Sequence, residues 1–274
     1  MKCIIRSIFT VCICLVLTAC EDVVDVNLAE QEPRLVIEAF INWQKNSNGN
    51  LQVIRLTTST GYYNTDIPKV SGATVYIKNE DGDTFEFNEL EGDNKGIYVC
   101  ENFIPLLNEV FTLTIKHKGD VYVGTEKFYT VPELEEVIQT QEGFLENQMT
   151  VKAFFNDPPD ETNYYMHRFI REDHGQEYGI FDDEFVNGNY TYTVRIFDDL
   201  TEGEVMNIDL MGISPRYYDY MNKVFTTVSE GNLGPFQVAP AVIRGNIVNQ
   251  TNPEKYPYGY FTMSEVSSIN YIVQ

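Results

Sequence analysis

Positive charge, histidine and tryptophan are all scarce in this sequence. Its 19 lysines and arginines stand against 41 aspartates and glutamates, giving a formal net charge of −22, and it has three histidines and one tryptophan. An acidic surface repels the phosphates of nucleic acids, which excludes a nucleic-acid partner held by charge. The same repulsion disfavours charge-driven adhesion to anionic lipids.

Motifs that indicate catalysis are missing as well. The chain contains no GxSxG, no P-loop and no glycine-rich dinucleotide fingerprint, and its histidines form neither HExxH nor HxH. We therefore expect a protein that is not an enzyme and needs no cofactor. A hydrolase with an unrecognised site that uses His167 and His174 is the weaker alternative.

Cysteine is scarce beyond the first twenty residues. Cys3, Cys12 and Cys14 have no histidine or acidic residue near them, which argues against a metal site at the start of the chain. Cys20 is used by the lipid attachment described below, so Cys100 in the strand-like GIYVCENF has no cysteine with which to form a disulfide. We expect Cys100 to be a small, buried, unpaired residue.

The apolar run at the start is too short to cross a membrane. It covers about ten residues from Ile8 to Leu17, whereas a spanning helix needs roughly 20. Two basic residues precede it and LTAC ends it, which is the layout of a secretory signal. Leu17-Thr18-Ala19-Cys20 resembles a bacterial lipobox, so we predict a signal peptide over residues 1–19 and lipidation of Cys20.

Residues 20–32 are then a lipidated tether. Buried acyl methylenes contribute about 0.8 kcal/mol each, so several chains give an effectively permanent membrane anchor. Loss of the two basic signal residues lowers the formal charge from −22 to −24. Glu21 and Asp22 resemble the acidic export signal of Bacteroidota lipoproteins, which predicts the cell surface; a periplasm-facing position is the alternative.

Short alternating segments rich in aromatic and β-branched residues predict a mainly β fold. Residues 33–131 hold seven such segments with turn signals at Asp81-Gly82 and Lys118-Gly119, which predicts an immunoglobulin- or transthyretin-like β-sandwich. We predict a second β-rich domain over residues 132–274, ending in the short strands AVIRGNIVN, YGYFTMS and SINYIV. Residues 172–190 are acidic and contain glycine, which predicts a long exposed loop.

One segment of the second domain has the punctuation of a helix. Ser214 suits the N-cap, Pro215 the first helical position and Gly231 the region beyond the end, which predicts a helix near residues 215–229. We expect its apolar face to pack on the second sheet, with an aromatic carbohydrate platform as the alternative. That face comprises Tyr217, Tyr220, Met221, Val224, Phe225 and Val228.

Two acidic segments are weak candidates for calcium, which prefers several oxygen ligands. Neither matches the EF-hand spacing, and a turn shaped by Pro158 and Pro159 explains the first segment better. No other metal site is predicted. The candidates are Asp157, Asp160 and Glu161 in the first segment, and Asp182, Asp183 and Glu184 in the second.

The tyrosines of GNY and YTYT, residues 188–193, form a conceivable contact surface. Exposed tyrosines suit a sugar or a peptide, and packing at the edge of a sheet explains them equally well. The sequence identifies no ligand.

Several segments together resemble the Bacteroidota outer-membrane lipoproteins of domain-of-unknown-function family 4249. Besides the lipobox they are PRLVIEAFIN, IRLTTSTGYY, VSGATVYIKNEDG, KGIYVC, NDPPDETNYYMHRF, YYDYMNKV, GPFQVAPAVIRGNIVN and YGYFTMS. Their order and spacing carry the resemblance across nearly the whole mature chain. Ala39 and Asn108-Glu109 depart from it, since glycine is common at both places.

The resemblance implies a role rather than a mechanism. Members are similar in setting to lipoproteins that work beside TonB-dependent transporters, which implies an accessory subunit that captures or admits a nutrient. The family has no established catalytic residues to carry over. A structural or adhesive envelope lipoprotein that binds another protein or a glycan is the alternative.

The lipobox predicts that Cys20→Ala releases the protein from the membrane, because no thioether to lipid can form. The β domains should still fold. Immunoblots of membrane and soluble fractions measure the effect, with Cys100→Ala as the control that keeps the anchor. A Cys20→Ala protein that stays in the membrane fraction would contradict the lipoprotein interpretation.

Overall fold

The computed structural model describes residues 32–61, 64–141, 148–228 and 242–274. The predicted signal peptide, Cys20, Glu21 and Asp22 lie outside these residues. Pro33–Gln274 is one compact unit, separate from Met1–Glu32, and it is the unit described below. In these four ranges no helix is both long and apolar enough to cross a membrane.

Strands dominate the described residues, which confirms the mainly β fold class. The first half contains β1 (Leu35–Gln44), β2 (Gln52–Thr58), β3 (Thr74–Lys78), β4 (Thr84–Glu89), β5 (Ile97–Cys100), β6 (Val110–His117) and β7 (Asp120–Lys127). The second half contains β8 (Leu134–Thr140), β9 (Met149–Asn156), β10 (Tyr164–Arg171), β11 (Gly175–Asp182), β12 (Tyr190–Phe197), β13 (Val205–Gly212), helix α1 (Pro215–Val228), β14 (Ile247–Asn249) and β15 (Tyr258–Ile272).

The first half folds as a β-sandwich. One layer contains β1, β2 and β5, the other contains β3, β6, β7 and β14, and β4 pairs with both β3 and β5. The inward side chains of both layers form one core that includes Ile37, Ile54, Leu113 and Phe111. Cys100 is buried and unpaired in this core, as predicted, and burial raises the pKa of its thiol.

The predicted hairpin turns are present, and one departure from the family pattern has a physical explanation. Lys118 and Gly119 both have positive φ (48° and 88°), as the tight turn between β6 and β7 requires. Asn108 has φ 66°, a conformation that favours glycine and that asparagine also tolerates. Ala39, the other departure, is fully buried in β1.

A second layered structure follows. The sheet β11-β10-β13-β15 faces the three-stranded sheet β12-β9-β8 across a core that includes Phe155, Tyr165, Phe169 and Leu210. This core and the core of the first sandwich are separate, and a third, smaller cluster lies under helix α1 in the described part of Pro33–Gln274. Three residues from the second half of the chain join the first core: Ile247, Phe261 and Met263. The predicted boundary at residue 131 stays a prediction.

Helix α1 confirms the predicted helix and most of its packing. The backbone N–H of Tyr217 donates to the Ser214 hydroxyl at 3.0 Å, so Ser214 is the N-cap. Tyr217 is buried against Tyr260 and Met211 on the far side of the second sheet. The contact ends before the end of the helix, since Val228 is 80% exposed.

Three predictions for the second half are wrong or incomplete. Residues 172–190 are not one loop, because β11 pairs with β10 from Tyr164↔Asp182 to Arg171↔Gly175. Strand β11 lies at the edge of the sheet and is half exposed, which allows the polar composition that suggested a loop. The two short strands YGYFTMS and SINYIV are one 15-residue strand, β15. Strands β12 and β13 are absent from the predicted set.

Strand β15 belongs to both halves. Its first part pairs in parallel with β1, from Val36↔Tyr258 to Gln44↔Val266. Its second part pairs antiparallel with β13, from Met211↔Val266 to Val205↔Ile272. The 12-stranded sheet is therefore continuous from one half to the other.

The start of β15 depends on two glycines. Gly259 has φ 91°, and a Cβ there would overlap the Ile37 carbonyl oxygen of β1. A Cβ on Gly245 would in turn overlap the carbonyl oxygen of Gly259. Three backbone segments meet here more closely than any side chain allows.

His167 on β10 lies inside the second core. Its Nδ1 is hydrogen-bonded to the Thr193 hydroxyl of β12, and its ring meets Phe169 edge-on at 5.3 Å between centroids. A Cβ on Gly179, its register partner on β11, would overlap the imidazole, so Gly179 makes room for the ring. Burial, and then the charge of Arg195, lower the pKa of His167 to about 4.

We expect Gly259→Ala to destabilise the fold strongly, because it combines an unfavourable φ with overlap of the β1 backbone. The free energy of unfolding should fall by roughly 3 kcal/mol or more. Gly82→Ala is the matched control: Gly82 has φ 90° but no atom within 4 Å of an added Cβ, so about 1 kcal/mol is expected. Urea unfolding measures both, and equal losses would contradict the proposed backbone contact.

His167 should make stability depend on pH. Its pKa is about 4 in the folded chain against an ordinary 6.5, so between these values the unfolded chain binds a proton that the folded chain does not. Lowering the pH through this window should cost up to about 3 kcal/mol. The difference in unfolding free energy between wild type and His167→Gln isolates this contribution from the carboxylates; a difference that is constant with pH would contradict it.

Candidate functional site

The polarity of strand β12 is the reverse of what its sequence favours. Its side chains alternate between a solvent-facing apolar set and an inward set, and the inward set includes the buried Thr193 and Phe197. An alternating strand normally turns its apolar side chains toward the core. The outward side chains are Tyr190, Tyr192, Val194 and Ile196, which are 48%, 43%, 40% and 42% exposed.

The register of β12 is held by contacts on its inner side. Thr193 is hydrogen-bonded to His167, and Phe197 lies 5.9 Å from Phe169 between ring centroids. A shift by one residue would bring Tyr192 and Val194 inward and lose both contacts. The exposed apolar side chains are therefore a fixed property of the fold.

Neighbouring strands extend this exposed surface. Phe154 of β9 lies opposite Tyr192 and Lys152 lies opposite Val194, while Ile138 of β8 is 40% exposed opposite Lys152. We call this surface the outer face, defined by the four outward residues of β12 together with Phe154, Lys152 and Ile138. Aromatic and aliphatic side chains thus form a contiguous patch on a three-stranded sheet.

Three aromatic rings lie side by side on the outer face. The Phe154 ring stacks on Tyr190 with centroids 5.4 Å apart, and it lies 5.1 Å from Tyr192. The Lys152 ammonium is 5.3 Å from the Tyr192 centroid. The Tyr190 hydroxyl donates to Glu136 Oε1 at 2.7 Å, and this hydrogen bond to a carboxylate raises the pKa of Tyr190 to about 12.

The residues of the predicted contact surface, 188–193, differ in exposure. Tyr190 and Tyr192 are exposed, whereas Thr193 is buried and Gly188 lies in a turn. The rest of the outer face was not predicted. The sequence feature that could have revealed it is the alternating pattern, which continues through Val194 and Ile196. By itself, however, that pattern would predict that these side chains are buried.

The two acidic segments meet around the hydroxyl end of Tyr165. Asp157 Oδ1 accepts from the Tyr165 hydroxyl at 2.6 Å, and its Oδ2 accepts from the Gly188 backbone N–H at 2.9 Å. Asp183 Oδ2 accepts from the Asn163 backbone N–H at 2.9 Å and from the Asn187 amide at 3.2 Å. These carboxylates thus stabilise the loops that follow β9 and β11, and they raise the pKa of Tyr165, after burial, well above its usual range.

The other calcium candidates lie farther out. Asp160, Glu161 and Glu184 are exposed, and Asp182 Oδ1 accepts from the Glu184 backbone N–H at 3.2 Å. Across the described ranges, no three carboxylate, histidine or cysteine side chains are close enough to hold a metal ion. Calcium binding stays a prediction.

The remaining histidines, His117 and His174, are not among the residues that surround the Tyr165 hydroxyl. His117 ends β6, where burial, and then Lys118, lower its pKa. His174 lies in the turn before β11 with its Nδ1 3.2 Å from Asp199 Oδ2. Neither of them is hydrogen-bonded to His167, which bonds to Thr193.

Three solved structures are remotely similar to the chain. A DUF4785 family protein from Legionella pneumophila is 8% identical with a TM-score of 0.26; the match covers 63% of this chain and 49%, about half, of that protein. A cytokine receptor complex is 6% identical with a TM-score of 0.24, covering 65% of this chain and 82% of that one. The chicken interferon gamma receptor alpha chain is 10% identical with a TM-score of 0.20, covering 66% and 89%.

These likenesses carry no argument about function. No curated protein matches the chain. A family model does match, over residues 21–270, and so covers most of the chain. The chain therefore belongs to the family described as Domain of unknown function (DUF4249).

Proposed function

We propose that the protein is a lipid-anchored accessory subunit of a TonB-dependent transporter in the outer membrane of a Bacteroidota species. In this role it acts by binding rather than by catalysis, and the outer face docks on the transporter. The lipobox ending at Cys20 and the acidic pair Glu21-Asp22 support a surface-exposed anchor. The family resemblance supports the transporter as partner.

The observation that carries the docking role is the reversed polarity of β12. Large contiguous apolar patches on a folded surface mark interaction sites, and aromatic residues are enriched at the centres of protein interfaces. The outer face has an aromatic cluster at Phe154, Tyr190 and Tyr192, aliphatic side chains at Val194 and Ile196, and a single cation, Lys152. That composition suits a protein partner.

The predicted tether permits such docking. Pro33, where the compact unit begins, lies thirteen positions after Cys20. A chain of that length reaches at most roughly 45 Å when extended. An anchored molecule can thus present the outer face to a neighbouring membrane protein without leaving the bilayer.

A glycan-binding envelope lipoprotein is the second candidate, and the ring geometry favours it. Adjacent exposed rings offer apolar faces to sugar C–H groups, and Tyr hydroxyls can reach sugar oxygens. Tyr190→Ala with Tyr192→Ala should then abolish binding in a glycan screen of the intact lipoprotein. The screen separates the candidates, since transporter docking without glycan binding favours the first.

We expect Val194→Glu with Ile196→Glu to reduce transporter recovery by roughly tenfold or more, because two charges would be buried in the interface. Both positions are exposed in the free protein, and Val194 lies opposite Lys152, so the fold should tolerate the change. The measurement is a detergent pull-down of the intact lipoprotein from its native membrane, quantified by mass spectrometry.

Leu51→Glu with Val248→Glu is the matched control. These residues are 61% and 57% exposed on the first half, away from the outer face, and the control should recover the transporter as wild type does. Equal recovery by the outer-face variant would overturn the docking surface. A wild-type protein that recovers no TonB-dependent transporter would overturn the proposed role.

A further inference from the structure

An open groove of about 570 Å³ lies on the outside of the first half, at one end of β1, β2 and β5. Its floor is formed by outward residues of the three strands, including Val36, Thr57 and Ile97. The segment around Ile67 and Lys69 forms one wall. Its volume falls within the range typical of small-molecule sites, roughly 300–1,000 Å³.

Backbone hydrogen bonds hold the walls of the groove in place. The Leu56 N–H donates to the Gly96 carbonyl at 2.8 Å, and the Val70 N–H donates to the Leu56 carbonyl at 3.0 Å. Gly96 has φ 80°, and an added Cβ would lie 2.8 Å from the Leu56 carbonyl oxygen. Because Gly96 allows this close approach, the groove is formed before any ligand arrives.

The charge of the groove is opposite to that of the protein. Arg55, Lys69 and Lys95 line it together with one acidic residue, Glu38, so its formal charge is positive in a chain of net charge −22. All three cations are solvent-exposed. Three cations around a concavity favour an anion there, although the wider field of the protein repels one.

The present partners of Arg55 and Lys69 leave these two cations available. Arg55 is 3.7 Å from Glu38, and both side chains are exposed (58% and 42%), so this ion pair contributes little to stability. The Lys69 ammonium donates to the backbone carbonyl of Asp93, which carries no formal charge. A ligand carboxylate or phosphate would be a stronger acceptor than the Asp93 carbonyl, and it could lie closer to Arg55 than Glu38 does.

The other lining residues indicate what the uncharged part of a ligand should contain. Consecutive hydroxyl side chains at Thr57, Thr58, Ser59 and Thr60 line the groove and can hydrogen-bond oxygen atoms. Aliphatic side chains of the floor lie beneath them. A ligand that matches this lining carries several negative charges on a short organic body with hydroxyl groups.

We propose that this groove binds a small organic polyanion, of the class that includes hydroxy-polycarboxylates and phosphorylated sugars. The guanidinium of Arg55 and the two ammonium groups bind the anionic groups, and the threonine and serine hydroxyls bind the remaining oxygens. The proposal concerns the first half of the chain and does not rest on the transporter docking role assigned to the outer face.

Calorimetric titration of the intact lipoprotein in neutral detergent tests this with three probes: citrate, glucose 6-phosphate and uncharged glucose. Citrate and glucose 6-phosphate should bind, more weakly at high ionic strength, and glucose should not. Arg55→Gln with Lys69→Gln and Lys95→Gln should weaken binding of both anions by roughly tenfold or more. The matched control, Lys78→Gln with Lys116→Gln and Lys255→Gln, removes the same charge at exposed positions outside the groove lining.

Each outcome decides the proposal. Loss of anion binding in the groove variant but not in the control, with unchanged melting temperatures, supports the groove. Equal loss in both variants means that net charge alone attracts the anions, and it overturns the site. Wild type that binds neither anion, or binds glucose as well as glucose 6-phosphate, also overturns it.

Discussion

The fold depends on the backbone pairing of β15 with two strands that lie far from it in sequence. The first part of β15 completes the layer of β1 and β2, and its second part completes the sheet of β13 and β10. Its side chains divide accordingly: Phe261 and Met263 enter the first core, and Ile269 and Tyr271 pack against the second. Buried polar groups on the same strand then fix the connecting segment, since Glu265 accepts from the Val131 N–H at 2.9 Å and Ser267 from the Leu134 N–H at 2.8 Å.

Local chemistry predicted the first half well and the second half less well, for a physical reason. Hairpin turns such as Lys118-Gly119 and the cap of α1 at Ser214 depend on residues a few positions apart, so a short pattern contains the whole signal. The pairing of β15 depends on β1, more than two hundred residues earlier, and no local pattern records it. In the sequence alone Gly259 looks like an ordinary turn glycine, because the contact that requires it is made with Ile37 of β1.

The candidate sites also depend on contacts that local sequence patterns do not record. The sequence predicted Tyr190 and Tyr192 as candidate contact residues from their type, but the outward direction of Val194 and Ile196 contradicts the usual burial rule. The rule fails because Thr193 bonds to His167 and Phe197 enters the core, which determines the register against the apolar preference of the other side. Apolar side chains that face solvent against the usual burial rule are evidence of function, because stability alone would favour turning them toward the core.

The continuous sheet also separates the two proposed sites physically. The groove lies on the outside of β1, β2 and β5, and the outer face lies on β8, β9 and β12, so each belongs to a different core. A cationic groove that binds an anion and an apolar surface that binds protein need opposite surroundings, one polar and hydrated, the other dry at its centre. Placing them on two different sheets allows both kinds of surface on one compact unit, and it means that substitutions at one site leave the chemistry of the other unchanged.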